Sequence, residues 1–374
     1  MEFNDNEDES SSNVDTLSAN STCVYGCIRN IPIEDSALQQ VGLYMTIVFA
    51  NAVVSACIGL SGFLLNVINI AVFVKMGFGE FTNVSLLSLA VADAGALLFL
   101  SANVILYSPL TPQASDKELM VYLAVTTPHV CFAEISGICT VFLALERFIC
   151  IALPHRVKSL MTPKRALTVN LLIFMYITAN KLLVYIGYLG YLVTDNGFSM
   201  SNETESVFGQ TSLFRIFDNV STLIDTFTQL TTFPAMVFVT GATIHIFNKS
   251  VKWRRGATSP GLGTAISNKE KKLSKMVILI SVVYIVCLIP AFLATLVMLW
   301  LESFSMTSKY YFMFMVIFSV LFNIDAINST LPFFIYVHMS SKFRKTLKFW
   351  FLQSSSISTF VGERNPNTTK TSQD

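Results

Sequence analysis

Five ionisable side chains interrupt stretches that are otherwise apolar: Asp93, Glu134, Lys181, Asp225 and Asp325. Asn66, His129, Ser136, Asn323, Asn328 and Ser329 stand in stretches of the same kind. A charge at the centre of a bilayer costs at least ~2.5–3.5 kcal/mol on insertion scales, so one that is kept faces other protein groups and carries function. A lone carboxylate such as Asp93, in the run SLAVAD, needs a positive partner, either a proton or a bound cation. Ser136, Asn328 and Ser329 would add neutral oxygens, the ligand type that a hard cation prefers. The same residues would serve equally well as a hydrogen-bond network tying helices together.

A second kind of chemistry is suggested by Glu146 and Arg147, an adjacent acid and base followed by Phe148 and Pro154. Such a pair holds itself together at a helix end, and its arginine can change partners when helices move. Glu270, the one acid among the lysines of 269–275, is a natural second partner. A surface pair of little energetic weight is the alternative. Enzymatic chemistry finds no support. There is no HExxH and no C-x-x-C, and His155, His245 and His338 are expected near the inner ends of their spans, far from His129. The stretch GATSPGLGTAISN reads as a connector, since no strand or phosphate-loop lysine surrounds its glycines.

The elements that must position these residues follow from composition. The chain has 374 residues, 53% hydrophobic and 13% charged, about half the charge of a soluble domain. A net charge of +1 gives no reason to expect a nucleic-acid partner. Apolar runs of the ~20 residues that a membrane helix needs occur at about 44–74, 82–107, 120–150, 166–192, 216–247, 274–301 and 309–337. Lipid offers the backbone no hydrogen-bond partners, so these runs are expected to be helices. The fold class expected is an all-α membrane protein, a bundle of seven transmembrane helices.

All 25 Lys and Arg except Arg29, Lys117, Lys181, Arg215 and Lys309 fall on one side of that bundle. The positive-inside rule then places the carboxyl end in the cytosol and the acidic segment 1–43, expected to be disordered, outside the cell. No apolar signal segment is expected to precede the first span. Sequons at Asn20, Asn202 and Asn219 fall on the outer side and are candidate glycosylation sites. Phe343, Leu347, Trp350 and Phe351 form one face of a basic segment, 338–352, expected to lie as an amphipathic eighth helix on the inner leaflet. The Ser/Thr-rich remainder, 353–374, is expected to be disordered and a kinase substrate.

In the outer half of the bundle, His129 lies on the same face of the third span as Arg147, five turns back. Lys181 is expected to neutralise Glu134 or Asp225, because an unpaired charge there is costly. Asp325 is left as the anion for a basic or amine group of a ligand, with Thr226, Phe292, Thr295 and Phe322 completing the wall. An internal ion pair or hydrogen bond is the alternative for each.

In this order, the residues resemble the rhodopsin-like G-protein-coupled receptors. The matching pieces are Asn66, LAVAD with Asp93, Glu146-Arg147-Phe148 with Pro154, Pro234, Pro290, Asn328-Ser329 with Tyr336, and Phe343. PHVCF, LERFICIALPHRVKSLMTPKRA and INSTLPFFIYVHMSSKFRKTL are most similar to the molluscan chemosensory and neuropeptide-type receptors of that family. The resemblance implies a plasma-membrane receptor for an extracellular small molecule or peptide, with a heterotrimeric G-protein, arrestin and a receptor kinase as partners. It implies no cofactor beyond an allosteric sodium ion held by Asp93, Ser136, Asn328 and Ser329. It makes Arg147 and Glu270 an inactive-state ionic lock, and Pro290, Pro332 and Tyr336 a switch region.

Departures from the family pattern are as informative. Pro332 and Phe333 stand where that family carries asparagine and proline, Leu288 where it carries tryptophan, and Ala242 where it carries a tyrosine. Tyr122 occupies the place of the third-span disulfide cysteine, so the family's outer disulfide is not expected. For Cys23 and Cys27 a mutual disulfide and free thiols are both open, and the other five cysteines are expected to be small buried residues. A retinal-binding protein would need a lysine in the seventh span, and none lies between Lys309 and Lys342. A transporter would show internal repeats, and none is visible.

Overall fold

The structure, a computed structural model, describes residues 35–106, 121–194, 212–256, 268–301 and 311–350. All regular structure among the described residues is helical. Seven helices are long and apolar enough to cross a membrane: Gly42–Met76, Phe81–Ala102, Tyr122–Ala152, Pro163–Gly190, Phe214–Ser250, Glu270–Trp300 and Met313–Met339. They are called the first to seventh spans. Polar turns extend several of them, so that the fifth runs as one helix over Ser212–Gly256 and the sixth over Asn268–Trp300.

Packing order follows chain order. The first span lies against the second and seventh, the second against the third, and the fifth against the fourth and sixth. The third touches the second, fourth, fifth and sixth and is the central element. Small residues set the closest approaches. A β-carbon on Gly59 would meet Ser101 Oγ at 2.4 Å, so the first and second helices touch there almost backbone to side chain. Asn66 bridges the first and seventh spans by donating from Nδ2 to the Ser329 carbonyl at 2.8 Å.

The first and second spans are joined at Gly77, whose φ of +81° is the left-handed conformation that glycine adopts without steric cost. Asn83 closes this turn by donating to the carbonyls of Phe73 and Gly77. The core beneath it contains Val72, Phe73, Leu89, Ile135, Leu143 and Tyr336. Outward faces carry Leu223, Phe227, Phe238 and Met175, all more than half exposed, as a lipid-facing surface requires.

After the seventh span a helix covers 341–350. Phe343 anchors it, fully buried with ring centroids 5.5 Å from Phe73 and 5.7 Å from Tyr336. Lys342 pairs with Glu80 at 3.5 Å, and the Lys75 ammonium lies 5.9 Å from the Trp350 ring centroid. The segments 1–34 and 353–374, with Asn20, Cys23, Cys27 and the Ser/Thr-rich tail, lie outside the described residues, as does Asn202. Cys131 and Cys139 are buried as expected, Cys150 and Cys287 are half-buried, and Cys57 is exposed because its side of the first span faces outward.

Candidate functional site

Asp93 is buried at the middle of the second span, and Ser136 of the third donates to its Oδ1 at 2.6 Å. Ser329 of the seventh span lies beside the same carboxylate. A small cavity lies against them, lined by Asp93, Ser136, Thr140, Tyr284, Asn328 and Pro332, with the aliphatic Leu89, Ile280, Val283 and Ile335 completing its wall. The four residues read as a cation set from sequence are therefore brought together, with one carboxylate and neutral oxygens as the available donors. That donor set fits a monovalent hard cation. Pro332 forms part of the wall. Tyr336 is buried one turn further on, and its hydroxyl has no hydrogen-bond partner among the described residues.

A second charged group joins the third, fourth and fifth spans. Lys181 Nζ lies 2.5 Å from Asp225 Oδ2 and 3.4 Å from Glu134 Oε1. The lysine thus answers both carboxylates, where the sequence suggested one or the other. Asn180, which sequence reasoning passed over, donates from Nδ2 to Asp225 Oδ1 at 2.5 Å. Glu134 Oε2 and Asn180 Oδ1 remain buried without hydrogen-bond partners among the described residues. The cluster holds two acids against one base, with lysine buried and the acids partly open.

His129 and Asp325 face each other from the third and seventh spans, Nε2 to Oδ2 at 3.8 Å. His129 Nδ1 lies 3.0 Å from the Ala96 carbonyl, which can only accept, so the ring's Nδ1 is the donor. Phe322 sets its ring edge-on to His129 at 5.6 Å. Asp325, read from sequence as the anion for a ligand's basic group with an internal pair as the alternative, is an acid turned toward a histidine. Its side chain is nonetheless 35% exposed, against 4% for His129. On the neighbouring wall Thr295 donates to Gln229 Oε1 at 2.8 Å, and Phe292 stacks on Phe233 at 4.4 Å. Thr226 does not join them through its hydroxyl, which returns to the Thr222 carbonyl of its own helix.

At the opposite, basic end of the bundle, the structure corrects the expected Arg147–Glu270 lock. The Arg147 guanidinium bonds Thr82 Oγ1, lies over the Phe81 ring, and sits 4.0 Å from Glu146 Oε2. Glu270 is not among these partners. Glu146 is fully buried and accepts from Ser85 at 2.7 Å, and Asn170 donates to Ser85 at 3.2 Å. Ser85, Thr82 and Asn170 were missed, although an amide inside an apolar run, such as Asn170, carries the same signal that singled out Asn66.

Two further placements complete the account. Asn219, expected on the outer side, stands exposed less than two turns into the fifth membrane-length helix, with Ser221 of its sequon buried. Pro290 is accommodated inside the sixth helix.

No curated protein matches the chain. The family described as "7 transmembrane receptor (rhodopsin family)" matches residues 65–336, well over half of the sequence. That range takes in the Asp93 cluster, the charged groups around Lys181 and Asp325, and the Glu146–Arg147 pair. The chain therefore belongs to the rhodopsin family of seven-transmembrane receptors.

Proposed function

We propose that this receptor binds an extracellular ligand carrying a basic or amine group, a chemosensory cue or a neuropeptide, and passes the signal to a heterotrimeric G-protein. The observation that carries the ligand class is Asp325, a carboxylate inside the bundle that remains a third exposed beside buried His129. Glu134 and Asp225 add negative charge that one lysine only partly offsets. A cationic ligand would complete this charge balance without leaving a buried acid unpaired. The aromatic walls of Phe322 and Phe292 supply the apolar contact that a ligand pocket needs.

In this reading the amino end faces outward at the plasma membrane, with Asn20 and Asn202 as glycan acceptors. The carboxyl tail lies in the cytosol, where a receptor kinase and arrestin would act on its serines and threonines. Binding favours one of two arrangements of the helices, and only a ligand with different affinities for the two can shift their balance.

The test is a ligand screen on cells expressing the full chain, with calcium and cyclic-AMP readouts in parallel. The expected hit is cationic, and Asp325→Asn should weaken its potency about tenfold or more, the scale of losing a charge-assisted contact. A neutral or anionic agonist whose potency Asp325→Asn leaves unchanged would remove Asp325 from the site. Ligand-stimulated nucleotide exchange on G-protein, set against solute flux in reconstituted vesicles, separates a receptor from a transporter.

A further inference from the structure

Both members of the Glu146–Arg147 pair end on the beginning of the second span. Arg147 is 2% exposed, and its guanidinium is bonded to Thr82 and covered by Phe81, the first two residues of the helix Phe81–Leu106. Ser85, one turn further on, holds Glu146, and Asn170 of the fourth span holds Ser85. A neutral hydroxyl, an aromatic face and a carboxylate 4.0 Å away are a modest match for a buried guanidinium. Among the described residues its Nε has no hydrogen-bond partner, and neither has Glu146 Oε2. A cation so held has acceptors to gain by moving, which is the property of a resting latch rather than of a permanent strut.

We propose that Thr82, backed by Phe81, is the positioning residue that holds Arg147 in the resting receptor, so that the latch runs from the third span to the second and not to the sixth. The inference rests on the receptor reading for its consequence, because release of Arg147 is then what opens the bundle to a G-protein. The geometry gives each part a distinct role. Thr82 accepts the charge-assisted hydrogen bond, and Phe81 covers the guanidinium face at 5.2 Å from its ring centroid. The Asn170–Ser85–Glu146 chain fixes the neighbouring acid, so Glu146 stays in place when Arg147 leaves.

The test uses the full chain in cell membranes and two readouts. One is ligand-free nucleotide exchange on a panel of heterotrimeric G-proteins. The other is the emission of an environment-sensitive fluorophore attached through Lys272→Cys, at an exposed position near the start of the sixth helix. Thr82→Val keeps the shape and removes the acceptor. It should raise basal exchange about five- to tenfold and shift the emission, whereas Thr82→Ser should restore the parent values. Phe81→Leu should act in the same direction and keeps the test available if Thr82→Val fails to fold. A larger rise from Glu270→Gln than from Thr82→Val would place the latch on the sixth span and overturn the proposal. So would parent-like values of both readouts in Thr82→Val and Phe81→Leu. If no G-protein responds in any variant while the Thr82→Val emission still shifts, the latch stands and the receptor reading falls.

Discussion

The Ser136 hydroxyl donates to Asp93 Oδ1 at 2.6 Å and so joins the second and third spans at mid-membrane. Ser329 approaches the same carboxyl group, and Asn328 lines the adjoining cavity, so three spans converge on one acidic side chain. A sodium ion held there would favour one arrangement of those spans, and by linkage an agonist that prefers the other would bind less tightly in its presence. Agonist affinity should then fall about 5- to 10-fold when choline is replaced by sodium. Asp93→Asn should abolish that dependence. Radioligand competition in the two salts measures it, and a sodium effect that survives the substitution would assign the cluster to helix-tying alone.

Lys181 answers two carboxylates, so its removal should be among the costliest single changes in the bundle. Lys181→Met leaves Glu134 and Asp225 facing each other without a cation, a situation that costs about 3–5 kcal/mol for buried pairs. Thermal unfolding in detergent should show a large loss. Adding Glu134→Gln and Asp225→Asn to Lys181→Met should recover most of it, because no charge is then left unpaired. A triple variant no more stable than Lys181→Met would show that packing, not charge, dominates there.

The parts of this structure that the sequence made legible are those fixed by depth in the membrane. Asp93, Ser136, Asn328 and Ser329 were found together because an ionisable or polar residue in an apolar run must turn inward, and inward positions at one depth meet. Lys181 was matched to its acids on the same reasoning. What sequence left hidden depends on rotation about each helix axis. Charge and the family resemblance both pair Arg147 with Glu270, yet its rotation presents it to Thr82 and Phe81. Thr226 was placed on the wall by its position along the fifth span, but a threonine hydroxyl is readily taken up by its own helix, here at Thr222.

Gly137 and Tyr284 give a sterically defined test of the contact between the third and sixth spans. A β-carbon on Gly137 would lie 2.4 Å from the Tyr284 hydroxyl and 3.4 Å from its Cζ, and both residues are buried. Gly137→Ala should therefore force the tyrosine or its helix aside, at the ~1–3 kcal/mol typical of overpacking. Tyr284→Phe removes the clashing oxygen, so the double variant should be more stable than Gly137→Ala alone. Equal melting temperatures for Gly137→Ala and its parent would mean that the two spans are not packed as closely as this contact requires.

At the end of the bundle remote from Arg147, Tyr122 takes the place where the family pattern carries a disulfide cysteine, and its hydroxyl donates to Asp218 Oδ1 at 2.9 Å. The bond ties the start of the third span to the fifth. Close by, Tyr185 donates to the Leu123 carbonyl at 2.6 Å and ties the fourth. Two tyrosines thus pin the entry of the third span, where a π-helical turn over Tyr122–Thr126 departs from regular helix. A hydrogen bond to a carboxylate contributes about 1.5–3 kcal/mol, less when it is partly open to solvent. Tyr122→Phe should therefore lower stability by about 1–2 kcal/mol, and Asp218→Asn by a similar amount. Because the two share one bond, the double variant should lose clearly less than the sum. Strict additivity in that cycle would show that Tyr122 and Asp218 act separately and that the tie between the third and fifth spans is carried elsewhere.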